Sequence, residues 1–123
     1  MKITTKIIGD FGERVAARYL KKQGYKILER NYKTAHGEID IICQNRDHLV
    51  FVEVKSRKDD PKNFLEYGLP RTAVTRKKQS HILYSARTYI ERFGTDKELR
   101  FDVIEVYLGL KPRVHHIKDA FHL

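Results

Sequence analysis

The spacing of apolar and polar positions changes along the chain, and each change marks an element. In DFGERVAARYLKKQG, residues 10–24, Phe11, Val15, Tyr19 and Leu20 recur at helical spacing. Asp10 stands where an N-cap would, Glu13 follows three positions later as in a capping box, and Gly24 supplies a stop, so a helix of about 13 residues is expected. YKILERNY, residues 25–32, reads as a strand with imperfect alternation. EIDIICQ (38–44) and LVFVEVKS (49–56) are β-branched and apolar, and the connector NRDH is short enough to join them as an antiparallel hairpin. SRKDDPKNFLEYGLPR, residues 56–71, carries two of the three prolines and reads as a loop. From Thr75 to Phe93 a second amphipathic helix is marked by Ile82, Leu83, Ala86, Tyr89, Ile90 and Phe93, with Gly94 closing it. LRFDVIEVYL (99–108) gives a fourth strand, and RVHHIKD (113–119), beyond Pro112, a short fifth. The order α-β-β-β-α-β-β predicts one α/β domain over residues 1–123, a mixed β-sheet flanked by helices.

Asp40, Glu53 and Lys55 interrupt stretches that otherwise read as buried strand, where an unpartnered ion costs several kcal/mol to desolvate. A turn through Asn45 to His48 sets Gln44 opposite Leu49, Asp40 opposite Glu53 and Glu38 opposite Lys55. Period-two alternation then projects these four charges from one face and leaves Ile39, Ile41, Cys43, Val50, Val52 and Val54 as the core face. Opposed carboxylates repel on their own. A shared divalent cation such as Mg²⁺ or Mn²⁺ would compensate them, as would a shared proton or neutralisation by Lys55 and an arginine. A plain cross-strand salt bridge from Glu38 to Lys55 is the bland alternative. For Glu13 the alternatives are the capping box and a place beside the polar end of the hairpin.

The formal net charge of +9 on 123 residues points to a polyanionic partner, nucleic acid above all, against the alternative of lysines that merely solubilise the surface. Arg57, Lys58, Arg71, Arg76, Lys77 and Lys78 gather after Lys55 and around the opening of the second helix, where cations oppose the helix dipole and a phosphate backbone would relieve the conflict. Gln79 lies one turn into that helix. The single cysteine, Cys43, allows no internal disulfide and fits a reducing cytoplasm; no apolar run suits a secretory signal or a membrane span. His115 and His116, adjacent on a strand, point to opposite faces and cannot readily share a metal; Asp102 and Glu105 also lie on different faces, with Asp102 read as structural. Phosphate-loop and dinucleotide glycine patterns are absent, as are paired zinc-site cysteines.

Glu13 on a helix, Asp40 in GEID and EVK at residues 53–55, set on α-β-β-β-α-β, resemble the PD-(D/E)xK nuclease superfamily and are similar to the archaeal Holliday-junction resolvases. GERVAARYL, Asn31-Tyr32, GEIDII, VFVEVKSR and FDVIEV are similar to the bacterial YraN-like family, from about Gly9 to Tyr107. The resemblance implies a restriction-endonuclease-like fold. It also implies Asp40, Glu53 and the Val54 carbonyl as metal ligands, Lys55 as catalytic and Glu13 as auxiliary, and it likens Gln79 to the polar helix residue near many such sites. No proline precedes Asp40, a departure from the superfamily pattern. The expected function is a metal-dependent endonuclease acting on nucleic acid, DNA and branched DNA foremost, with symmetric cleavage requiring a homodimer. The alternatives are a non-catalytic nucleic-acid-binding protein on a retained nuclease fold, and a basic protein that docks on a protein or ribosomal surface.

Overall fold

A computed structural model describes residues 4–58 and 74–122. The elements are α1 (Thr5–Lys22), β1 (Lys26–Thr34), β2 (Gly37–Gln44), β3 (His48–Lys58), α2 (Arg76–Phe93), β4 (Glu98–Leu108) and β5 (Arg113–Phe121). They follow the expected α-β-β-β-α-β-β order. The five strands form one sheet in chain order, β1-β2-β3-β4-β5, with β3 and β4 parallel and every other pair antiparallel.

The two helices cover opposite faces of this sheet. Ala16, Ala17 and Leu20 of α1 bury Ile41, Cys43, Val50, Val52 and Ile104, while Ile82, Ala86 and Tyr89 of α2 bury Ile39, Ile42, Leu49, Phe51 and Val103. The hairpin therefore has two core faces, where one apolar and one charged face were expected. A strand with a parallel neighbour and helices on both sides buries nearly every residue, so its sequence loses clean alternation.

Both helix starts are capped by threonine. Thr75 accepts the Lys78 N–H at 3.2 Å, and Gly94, at φ 72°, terminates α2 as expected. α1 begins earlier than its apolar stripe suggested: Thr4 is the N-cap and accepts the Ile7 N–H at 3.2 Å. Asp10 therefore lies inside the helix, and the capping-box role of Glu13 falls away.

The hairpin register is as expected from Gln44↔Leu49 to Ile41↔Val52, closed by a turn in which the Asn45 side chain accepts the Asp47 and His48 N–H groups. Beyond Ile41 the ladder stops. The Asp40 carboxylate accepts the Val54 N–H at 2.8 Å, and Glu38 pairs with Lys33 of β1, not with Lys55. Ile39 packs with α2 but Ile41 with α1, so alternation breaks at Asp40 and the expected single row of four charges does not form. Both edge strands are irregular: β1 carries an extra residue at Leu28 and a positive φ of 54° at Asn31, and Lys118, Asp119 and Ala120 of β5 lie against the single residue Asp102.

Candidate active site

Where β2 peels away from β3, Asp40 is near two further buried acids, one from each face of the sheet. Glu53, 5% exposed, is carried on the α2 side of β3, and Glu13, 9% exposed, is brought in by α1. Asp40 lies between them and is near enough to raise the pKa of both. The approach of α1 depends on Gly12, which rides on Ser56 of β3; a β-carbon there would overlap the serine hydroxyl. The sequence thus places its smallest residue where helix and strand touch, one position before the acid.

The electrostatics are strained. Burial, followed by the Asp40 charge, pushes Glu53 up to about 7, even though Lys78 and Lys55 pull the other way. Burial and Asp40 likewise push Glu13 up to about 7, against Arg30. Asp40 itself is raised by burial, opposed by its bond from the Val54 N–H and by its contact with Glu53, as expected where the neighbour holds the proton. Lys78 Nζ lies 3.3 Å and Lys55 Nζ 3.9 Å from Glu53 Oε1. Yet Glu53 Oε2 and Glu13 Oε1 are buried without a hydrogen-bond partner. An unsatisfied buried oxygen costs about 1–3 kcal/mol, so two of them, each on an acid near Asp40, mark a site whose charge the neighbouring cations compensate only in part.

The donors on hand are hard oxygens, the type that suits Mg²⁺ or Mn²⁺. Among the described residues no three His, Cys, Asp or Glu side chains converge as a metal-holding set. An ion here would rest on two carboxylates, main-chain oxygen, water and substrate.

The basic residues divide. Lys78, whose side chain is 42% exposed, reaches in to the Glu53 carboxylate, a role with no sequence signal because it depends on how α2 crosses β3. Arg57 is bonded to Glu105 at 2.7 Å. Arg76 and Lys77 are exposed in the first turn of α2, which holds no acid. Gln79 donates to the Val74 carbonyl at 3.2 Å, tying the helix entry together. Arg71 and the Lys58 side chain lie outside the described residues. Arg30, which acts on Glu13, went unnoticed in the sequence because it belongs to a strand with poor alternation.

A second buried acid has a different environment. Asp102, fully buried, accepts from Arg100 at 2.8 and 2.9 Å and from the Asp119 N–H at 3.0 Å, and pairs with His116 Nε2 at 2.7 Å. Burial pushes its carboxyl up, but these bonds together hold it below its ordinary value. Glu105 meets Arg57, His115 and Tyr107. Hence His115 and His116 do face opposite sides, and the Asp102 charge is answered by bonded partners, in keeping with a structural reading.

Fold and site together define an α/β protein with a buried, incompletely compensated carboxylate cluster at the open end of a β-hairpin. The chain belongs to the uncharacterised protein family UPF0102, which matches residues 12–106 and is the YraN-like family its motifs resemble. A UPF0102 protein of Clostridium beijerinckii is 46% identical, covering 100% of this chain and 99% of its own. Relatives from Clostridioides difficile and Trichlorobacter lovleyi are 47% and 46% identical over 92% and 94% of this chain and 95% and 91% of theirs. Among solved structures, Pyrococcus furiosus SfsA in complex with Ca²⁺ is similar at a TM-score of 0.34 and 16% identity, over 94% of this chain and 64% of that one, a likeness too slight to carry argument. Among the described residues, no helix is long and apolar enough to cross a membrane.

Proposed function

We propose that this protein is a metal-dependent endonuclease that hydrolyses phosphodiesters in nucleic acid, DNA and branched DNA foremost. The observation that carries this reading is the pair of buried, unpartnered oxygens on Glu13 and Glu53 flanking Asp40. Motif resemblance to the PD-(D/E)xK nucleases supports it. Asp40, Glu53 and the Val54 carbonyl would hold Mg²⁺ or Mn²⁺, which when bound supplies Lewis-acid polarisation of a phosphate oxygen and lowers the pKa of water. Lys55 orients the attacking water or steadies the charge that develops on the phosphate. Glu13, with one oxygen free, accepts a hydrogen bond from water at the site. Lys78 restrains Glu53 until substrate and metal arrive, and Arg76 and Lys77 meet the phosphate backbone.

A second reading, a nucleic-acid binder that does not cut, draws on the Lys78–Glu53 ion pair, which gives Glu53 a protein counter-charge. One experiment separates them. Mn²⁺ and Mg²⁺ binding is measured calorimetrically for wild type, Asp40→Asn and Glu53→Gln, and the same samples are incubated with labelled branched, flapped and linear DNA. The nuclease predicts metal binding lost in both variants and metal-dependent cutting by wild type alone. Intact DNA with no metal affinity, and salt-sensitive binding unchanged by either substitution, overturns it in favour of the binder.

A further inference from the structure

On the outer side of α1, away from the carboxylates, Arg14, Arg18 and Lys22 repeat every four residues and form one exposed cationic stripe. None of the three is bonded to an acid among the described residues. Like charges four apart on a helix repel, so this arrangement destabilises the isolated protein slightly. The stripe forms one wall of a cleft of about 500 Å³ between α1 and the start of β5. Tyr19 and Pro112 contribute to its lining, and Phe11, 40% exposed, also borders it with the Arg14 guanidinium 5.8 Å from its ring centre. An exposed phenyl ring beside arginines that have no acidic partner among the described residues combines two features that folding alone does not favour.

We propose that this cleft binds a single strand of nucleic acid, phosphates along Arg14, Arg18 and Lys22 and an unpaired base against Phe11. A basic track with an aromatic platform beside it is what a sequence-tolerant single-strand site requires. A duplex would meet the cations but hides the faces of its bases within the stack, leaving Phe11 unused. An acidic peptide would satisfy the charge without supplying a flat ring. The inference rests on the nucleic-acid reading of the function and sharpens it. Arg14 follows Glu13 directly on α1, so a strand in the cleft lies on the helix that carries an acid of the candidate site. The substrate class it names is nucleic acid that carries an unpaired segment: a flap, a fork or a branch.

The test is binding without chemistry. Fluorescence anisotropy in EDTA compares a labelled oligothymidylate with a duplex of equal length for wild type, Phe11→Ala, Phe11→Tyr and the double variant Arg14→Ala with Arg18→Ala. The substituted side chains are exposed, and thermal melts verify folding. Phe11→Ala should weaken single-strand binding about tenfold or more with little change for duplex, and Phe11→Tyr should restore it. The double variant should lower the slope of log K against log salt by about 1.4, from two lost single-strand phosphate contacts. Single-strand affinity untouched by these changes overturns the proposal, as does equal competition by polyglutamate, which would assign the cleft to an acidic protein. Because metal is absent, a working cleft with no cutting in the preceding experiment refutes the nuclease and leaves this site standing; cutting with an inert cleft does the reverse.

Discussion

Two buried acids on adjoining parts of one sheet, Glu53 and Asp102, differ in company and not in depth. Asp102 has a guanidinium, an imidazole and a backbone N–H, and is held below its ordinary pKa. Glu53 has two lysine ammoniums near one oxygen, none on the other, and a second carboxyl beside it; it is pushed up to about 7. Burial alone therefore does not mark a functional acid. Chemistry is suggested where the protein leaves buried charge incompletely answered, because a structure that needed only stability would have answered it.

Removing the acid from each place should give opposite results. The largest effect is expected from Asp102→Ala, which strands Arg100 and His116 and should destabilise the fold by about 3–5 kcal/mol in urea unfolding. A cost below 1 kcal/mol would erase the contrast. Next, Mg²⁺ at a hundred times its Kd should raise stability by about 2.7 kcal/mol at pH 8, and by less at pH 6, where the ligands hold protons. Asp40→Asn should abolish that gain, and equal stabilisation of the variant would place the ion elsewhere.

Gly12→Ala should cost about 2 kcal/mol, since the new β-carbon would meet the Ser56 hydroxyl, and it should displace Glu13. Adding Ser56→Gly should recover most of the stability; failure to do so would locate the strain in the helix itself.

The smallest change is also the most telling. A carboxyl raised from 4.5 to about 7 keeps its proton in the folded state after the unfolded chain has released it, so Glu53 lowers stability as pH rises through that window and no further above it. Glu53→Gln should be more stable than wild type by about 1–2 kcal/mol at pH 8 and nearly equal at pH 5. Equal loss at both values would mean that the Lys78 and Lys55 contacts outweigh the strain.

Much of this was legible in the sequence. The length of the Asn45–His48 connector and the even pairing it imposes placed Asp40 near Glu53, and period-two alternation separated His115 from His116 and Asp102 from Glu105. The start of α1 was obscured because Lys6, Ile7 and Ile8 precede the clearest apolar stripe, which made Asp10 resemble a cap. Burial of both hairpin faces was hidden because a charged position on a helix-covered strand looks like a solvent-facing one. The Lys78–Glu53 pair depends on a helix crossing that no local pattern encodes, and the partner of Asp102 on β5 depends on a bulge. Neighbour relations within a hairpin are written in its spacing, whereas relations between a helix and the sheet beneath it arise only on packing.

The irregular outer strands have a consequence for how copies of this protein can associate. A straight edge strand would offer its free N–H and C=O groups to another molecule and invite open-ended fibre growth. Here β1 is kinked at Leu28 and Asn31 and bears Lys26, Arg30 and Lys33, while β5 bulges at Asp119 beside Lys118. Both margins are thus guarded against continuation of the sheet.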